Sequence, residues 1–330
     1  GKSKLKKGNP LFVKDKKVHS LTGFLANELG LQAPQPSSGH IALKPLLESL
    51  HVFIQASGQS TLPFQLGDKV SLEEYGFLGY AVRSCENIRQ AVMMNVFYFS
   101  ALTNALTVQV SETKGVACVS FSCHLDDLQL EQYLSEILLA GLYSVLKQLS
   151  PDADASMVMH FRHSKPVHVS EYLKYGNPRI LFNQPSLCVF VPSTLLDQHI
   201  DTYDPNLQAL AESQLQALIK EEKTAASYAE QVKSLLRQSQ YRHSLSHIAG
   251  QLYLSERTLK RYLAEEKSTF RELLNQSRCE KACELLIAGD QPINQIAQLL
   301  GYSSSANFCY AFKQWTALSP KIYREEVRYR

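Results

Sequence analysis

One supersecondary unit is written twice in this chain, and no other feature restricts its fold as strongly. In SLSHIAGQLYLSERTLKRYLAEEK (244–267), Leu245, Ile248, Ala249 and Leu252 fall at helical spacing, and Tyr253-Leu254 form a tight connection. Ser255 stands where a second helix takes its N-cap. That helix turns Leu259 and Leu263 inward and Arg257, Lys260 and Arg261 outward. QPINQIAQLLGYSSSANFCYAFKQW (291–315) has the same grammar: Pro292 in a first turn, with Ile293, Ile296, Ala297 and Leu300 inward. Gly301 supplies the turn, Ser303 or Ser304 the cap, and Phe308, Phe312 and Trp315 the anchors. Ser305, Asn307, Tyr310 and Lys313 are left outward. The Ile-Ala pair at 248–249 returns at 296–297, where two helices crossing at about 90–120° need a small residue.

The segment between the units, STFRELLNQSRCEKACELLIAG, predicts a helix of about 20 residues, or roughly 30 Å at 1.5 Å per residue. Successive major grooves on one face of B-DNA lie about 34 Å apart, so the helix has the length to set two recognition helices in neighbouring grooves. Arg and Lys on such helices donate to guanine O6 and N7 or to phosphate. Arg278, on the connecting helix, suits either packing or a phosphate contact.

The charge distribution agrees. The formal net charge is only +3, but residues 1–17 carry +6, residues 18–239 carry −7 and residues 240–330 carry +4. An acidic body with a basic C-terminal block suits a chain that meets a polyanion at one end. At 330 residues the chain is long enough for about two domains. With 45% hydrophobic and 20% charged residues it is neither collagen-like, coiled-coil nor wholly disordered. No run approaches the roughly 18 apolar residues of a membrane span, and the basic opening GKSKLKKGNP lacks the apolar core of a secretory leader. The first residue is Gly rather than Met, as in a trimmed chain. Seven cysteines with no C-x-x-C pair point to free thiols in a reducing cytoplasm.

These C-terminal motifs carry a resemblance. Residues 231–327, through SERTLKRYL, STFRELLNQSRCEKACELL, INQIAQLLGYSSSANFCYAFKQW and LSPKIYR, resemble the AraC/XylS family of bacterial transcription regulators. The resemblance implies that the second helix of each unit reads the major groove. By position it makes Arg257, Lys260, Arg261, Ser305, Asn307 and Tyr310 base readers, and Ser255, Ser304 and Lys313 phosphate contacts. Two departures stand out. The family has Gly at the turn after the first recognition helix where this chain has Lys267, which predicts a rebuilt turn because a non-Gly residue at positive φ is strained. The family commonly has Arg where this chain has Tyr310, which predicts weaker or altered reading by the second unit.

The first 200 residues read as mixed α and β. Helices are expected near 41–56, 72–84 and 86–99, after a QAPQPSSG loop. A hairpin is expected with strands at 105–111 and 116–123 around a Glu-Thr-Lys-Gly turn. A helix over 127–149 carries Leu130, Leu134, Ile137, Leu138, Gly141 and Val145 on one face and stops before Pro151. SMVMHFRH and SLCVFVP suit buried strands, with a short VSEYLKYG helix between them. LGYAVRSCENIRQAV and residues 160–200 resemble the arabinose-binding-like effector domain of one AraC subgroup, which implies sensing, dimerisation or both, without implying arabinose. The apolar stretches near 93–99 and 134–146 would suit an apolar inducer.

The expected fold is therefore an α+β N-terminal domain of helices and a small sheet, followed by an all-α C-terminal domain with two helix-turn-helix units joined by a long helix. The divisions are a basic flexible tail at 1–19, an effector-binding or dimerisation domain at 20–204, a helical linker at 205–230 and the DNA-binding domain at 231–330. The function implied is a cytoplasmic, nucleoid-associated regulator of transcription, more readily an activator, and not an enzyme. Its expected partners are promoter DNA, a small-molecule effector, RNA polymerase and a second copy, with no membrane and no cofactor. The alternative is a ligand-independent regulator whose N-terminal domain only dimerises. Competing chemistry has little support. His160, His163, His168 and Cys123-His124 lack the spacing of a structural zinc site, and Cys279 and Cys283 suit buried packing. SETK at 111–114 lies in a turn without partner motifs, and no G-x-G-x-x-G, Walker A or G-x-S-x-G motif is present.

Overall fold

A computed structural model describes residues 12–14, 40–69, 77–102, 105–174, 176–221 and 227–327. Phe12–Lys14 (β1) lies in the segment expected to be a tail, yet pairs antiparallel with His40–Ala42 (β2). The rest of 1–19, the QAPQPSSG loop and residues 72–76 lie outside the described residues. Two helices follow, Leu43–Ser57 (α1) and Leu62–Asp68 (α2), then Phe77–Arg83 (α3) and Ile88–Leu102 (α4). Leu43, Leu46, Leu47, Leu50 and Ile54 of α1 share a buried stripe at helical spacing.

The hairpin forms with a tighter turn than the sequence suggests. Leu106–Thr113 (β3) and Val116–Cys123 (β4) pair up to Thr113 opposite Val116, leaving Lys114 and Gly115 alone at φ 48° and 84°. Two consecutive left-handed residues match the right-handed twist of the strands, and so the ladder extends past the expected loop. Among the described residues β3 and β4 join Val158–His160 (β5), Arg179–Leu181 (β6) and Leu187–Pro192 (β7) in a sheet of order β3-β4-β7-β5-β6. Only the β5–β6 pair is parallel.

Both faces of this sheet are buried. Ala117, Val119 and Phe121 of β4, Met159 of β5 and Leu187, Val189 and Val191 of β7 point to one core. Val116, Cys118, Val158, Cys188 and Phe190 point to the other. A strand's side chains alternate between faces, so two buried faces give the continuous apolar runs seen in the sequence. The first face packs on Leu128–Leu149 (α5), with Leu139, Tyr143, Val145 and Leu146 in the shared core. The second packs on the helical C-terminal region.

Helix α5 is N-capped by Asp127, whose carboxylate accepts from the Gln129 and Leu130 amides at 2.8 and 3.1 Å. The expectation of a single apolar face for it is incomplete. Leu130, Tyr133 and Leu134 pack with α1 and α2, while Leu139 and Tyr143 pack on the sheet, so the helix is buried on opposite sides. A helix between two layers has no solvent face to mark in polar residues. Short helices at Val169–Tyr172 (α6) and Ser193–Leu196 (α7) flank β6 and β7, and Pro205–Glu221 (α8) leads toward the C-terminal region. Among the described residues no helix is long and apolar enough to cross a membrane.

Close approach of α2 to α5 depends on Gly67. A Cβ there would lie 2.4 Å from the Ile137 carbonyl oxygen and 2.7 Å from the Ala140 Cβ. Those neighbours are backbone or near-backbone and cannot yield cheaply. Gly67→Ala is expected to destabilise the protein by about 1–3 kcal/mol, read as a lower urea midpoint in equilibrium unfolding. An unchanged midpoint would show that the two helices slide apart without cost.

Candidate nucleic-acid interface

The C-terminal region consists of seven helices among the described residues: Tyr228–Gln238 (α9), Leu245–Gln251 (α10), Glu256–Glu265 (α11), Phe270–Ala288 (α12), Ile293–Leu299 (α13), Ser305–Thr316 (α14) and Pro320–Val327 (α15). The repeat seen in the sequence is also a repeat of hydrogen bonds. The Leu252 amide donates to the Ile248 carbonyl and the Leu300 amide to the Ile296 carbonyl, both at 3.1 Å. The Leu254 amide donates to the Ala249 carbonyl and the Tyr302 amide to the Ala297 carbonyl, both at 2.9 Å. The residue between is left-handed in each, Tyr253 at φ 57° and Gly301 at φ 77°. Tyr253 takes the strained position with its side chain 97% exposed.

Each second helix is then capped by a serine. The Ser255 hydroxyl accepts from the Thr258 amide at 3.1 Å and the Ser304 hydroxyl from the Asn307 amide at 3.2 Å. Pro292 is itself the N-cap of α13, one position earlier than expected. Leu259 and Leu263 of α11 and Phe308 and Phe312 of α14 are fully buried. Trp315 is half-buried, its ring 6.4 Å from that of Phe312. Burying those anchors turns the opposite faces outward. Arg257, Lys260 and Arg261 are exposed on α11, as are Ser305, Asn307, Tyr310 and Lys313 on α14. Arg261 is not idle: its Nε lies 3.9 Å from Glu265 Oε1 and its guanidinium 5.1 Å from the Tyr262 ring centre. An exposed i,i+4 pair of this kind is worth only about 0.3–0.5 kcal/mol, so it yields readily to a better acceptor.

The two units share α12. Its 19 residues span roughly 28 Å, and Thr269 and Glu272 close a reciprocal capping box at its start. Arg278 on α12 is a packing group. It donates to the Tyr241 carbonyl at 3.1 Å and lies 4.6 Å from the Tyr302 ring centre, tying the α9–α10 connection to the second turn. Exposed Arg242 in that connection is a cation that reading helix faces alone missed; its Cγ lies close by Gly301.

The turn after α11 is not rebuilt. Lys267 holds φ 56°, and the Ser268 amide closes the turn on the Leu263 carbonyl at 2.9 Å. The Lys267 ammonium pairs with Asp126 of the N-terminal domain, a contact glycine cannot make. A pairing side chain therefore stands where the resemblance led us to expect glycine.

Helix α12 rests on the sheet through buried polar contacts. Glu280 accepts from the Ser120 hydroxyl at 3.0 Å and pairs with Lys233 of α9 at 3.7 Å. Glu284 accepts from the Ser111 hydroxyl, and burial pushes its carboxyl up from the ordinary value although Lys281 lies 3.4 Å away. Burial likewise pushes up the Cys118, Cys188 and Cys279 thiols, which suits apolar filling rather than redox chemistry. His160 of β5 lies 2.9 Å from the Tyr323 hydroxyl of α15 and edge-on to Phe190. His163 and His168 turn instead to Glu136. Among the described residues no group of three or more His, Cys, Asp or Glu is placed to hold a metal ion.

Comparison with known proteins gives two family matches. Residues 25–200 match the model of the arabinose-binding domain of AraC transcription regulators, N-terminal, and residues 248–326 match a helix-turn-helix domain. The ornithine utilization regulator of Pseudomonas aeruginosa is 27% identical over 270 residues, covering 81% of this chain and 79% of the relative. The regulator VqsM of the same species is 25% identical over 296 residues, covering 84% and 88%. The crystal structure of the regulator CdpR, also from P. aeruginosa, superposes with a TM-score of 0.48 at 23% identity, covering 94% of this chain and 98% of that one.

The buried His160 gives the seat a pH dependence. Burial lowers its pKa to about 3, whereas the unfolded chain takes up the proton near 6.5. Stability from this group is complete above pH 6.5 and is lost as pH falls toward 3, at up to about 1.4 kcal/mol per pH unit. Glu284, with its raised pKa, acts in the opposite sense, and for that reason the comparison is made with His160→Phe. Unfolding free energies between pH 7.5 and 5 are expected to fall less steeply in the variant. Parallel curves would remove His160 from the account.

Proposed function

Because the chain belongs to the AraC family of transcription regulators, with a DNA-binding helix-turn-helix region and an N-terminal domain of the ligand-binding type, we propose that both units read one promoter site under the control of a small-molecule effector. The observation that carries this reading is the duplicated turn, which leaves a polar face exposed on the second helix of each unit. On α11, Arg257, Lys260 and Arg261 read base edges; on α14, Ser305, Asn307 and Tyr310 do so. Ser255 and Ser304, at helix N-termini where the macrodipole favours anions, contact phosphate together with Lys313. A cap serine accepts from the backbone with its oxygen, which leaves the Ser304 proton available to phosphate; the Ser255 hydroxyl also lies 2.8 Å from the Thr258 hydroxyl, so the two present themselves to phosphate as a pair.

Tyr310 in place of a cation makes the second unit a weaker or differently specified reader than one with arginine there. Output as an activator working with RNA polymerase, a homodimer on DNA and a cytoplasmic location complete the proposal. Its domain divisions are 20–204, 205–230 and 231–330. The curated relatives reported above are regulators rather than enzymes, which favours binding over catalysis for the N-terminal domain as well.

The base-reading and phosphate roles separate experimentally. Arg261→Ala is expected to cost about 1–3 kcal/mol at a selected operator and to relax base preference there, leaving random duplex nearly unaffected. Lys313→Ala is expected to weaken all duplexes alike and to flatten the dependence of log affinity on log salt by about one unit. Fluorescence anisotropy across a salt series reads both. Equal losses of Arg261→Ala on specific and random DNA would refute the base-reading role, and an unchanged slope would refute the phosphate role.

A further inference from the structure

Where the N-terminal sheet meets the helical region, a cleft of about 440 Å³ opens between the two. The β4 end and the Asn183–Ser186 turn form one wall; α9, the turn after α11, α12 and the C-terminal end of α14 form the other. Its volume lies within the roughly 300–1,000 Å³ of small-molecule sites. Trp315 and Phe121 give it apolar surface, and five side-chain amides, including Asn275, Gln276 and Gln314, line it.

The chemistry of the lining divides sharply. Its main charged groups are engaged. Arg162 pairs with Glu131 at 2.7 Å, Lys233 with Glu280 at 3.7 Å and Lys267 with Asp126. Glu266 accepts from the Tyr228 and Ala229 amides at 2.9 and 2.8 Å, and Glu272 is held in its capping box. Among the buried side-chain atoms of the lining, those with no hydrogen bond are neutral: Gln184 Oε1, Ser186 Oγ and Ser268 Oγ. Gln184 is only 4% exposed, and its orientation is fixed because its Nε2 faces two carbonyl oxygens, of Phe182 at 2.8 Å and Thr316 at 3.4 Å. Turning the amide over would set oxygen against oxygen, so Oε1 is left to accept from something else. Buried polar atoms without partners are costly and scarce in folded proteins. Here three border one cleft.

We propose that this cleft between the domains binds a neutral small molecule carrying several hydroxyl or amide groups, which donates to Gln184 and hydrogen-bonds Ser186 and Ser268. The inference rests on the regulator reading and locates its effector: not within the N-terminal domain alone, but against both domains. Such an occupant touches the turn at Ser268, directly behind α11, and the end of α14 at Trp315. Its binding is thereby linked to how the reading helices are held, and the coupling is reciprocal with DNA affinity.

The test uses the full chain, wild type and Ser186→Ala/Ser268→Ala, in thermal-shift assays. The neutral probes are D-ribose, D-glucose, myo-inositol, uridine and nicotinamide; the charged probes are gluconate, decanoate and putrescine. Both serine hydroxyls lack partners within the chain, so the double variant is expected to melt at the wild-type temperature or above it without probe. At least one neutral probe is expected to raise the wild-type melting temperature by 2 °C or more, with the shift lost in the double variant. Gln184→Leu, if it folds, is expected to lose it as well. Failure of every neutral probe, or a shift that the double variant retains, overturns the site. A shift from a charged probe that the double variant abolishes overturns the assigned chemistry. Duplex binding measured on the same samples keeps the failures apart: its loss refutes the regulator reading, whereas intact DNA binding without a thermal response refutes the cleft alone.

Discussion

Two carboxylates one helical turn apart on α12, Glu280 and Glu284, hold this molecule together across its domains. Each is almost wholly buried and each accepts from a serine of the sheet, Ser120 and Ser111. Lys233 and Lys281 lie beside them. A buried carboxylate stripped of its partners costs about 3–5 kcal/mol, so a shift of the helix that breaks these contacts is disfavoured. The apolar part is considerable: Val116, Cys118, Val158, Cys188 and Phe190 of the sheet belong to the same core as Leu259, Leu286 and Phe308. The N-terminal sheet and the DNA-binding helices are thus two layers around one core.

That arrangement joins the two domains without a long intervening chain of contacts. Helix α12 is at once the strut between the two helix-turn-helix units and the element lying on β3 and β4. Its neighbours reach the N-terminal domain independently: Lys267 from the turn after α11 to Asp126, Tyr323 of α15 to His160, and Arg179 of β6 to the last carbonyl of α15. Helices α11 and α14 are thus both joined to the element that forms the seat. The exposed faces of α11 and α14 take no part in these contacts.

Local periodicity made most helices and the hairpin legible, although α2 and β6 went unforeseen, and it placed the exposed polar faces of α11 and α14. The Ile-Ala repeat, the cap serines and the aromatic anchors of α14 all occupy the positions that helix geometry demands. Hairpin pairing followed from β-rich runs around Lys114-Gly115, though the left-handed pair drew the strands closer than the four-residue turn implied. What stayed hidden was long-range. Nothing in α5 announced that it lies between two layers, since burial on opposite sides erases amphipathic contrast. A small signal of the second buried face was present in the alternate residues Cys118, Ser120, His160 and Cys188, which suit a polar-decorated seat better than solvent. The cleft was illegible for the same reason. Gln184 and Ser186 share a cleft with Ser268 and Gln314 only in the folded arrangement of the two domains. Lys267 shows the limit of family pattern: the chain holds a lysine in the left-handed region there and pairs it with Asp126 of the other domain.

The central claim is that two reading helices on one strut engage one face of a duplex. Hydroxyl-radical footprinting of the full chain on a selected operator tests it most directly. The account predicts two protected patches about one helical turn, roughly 10 base pairs, apart on the same face of the DNA. A single patch, or two patches on opposite faces, would contradict it.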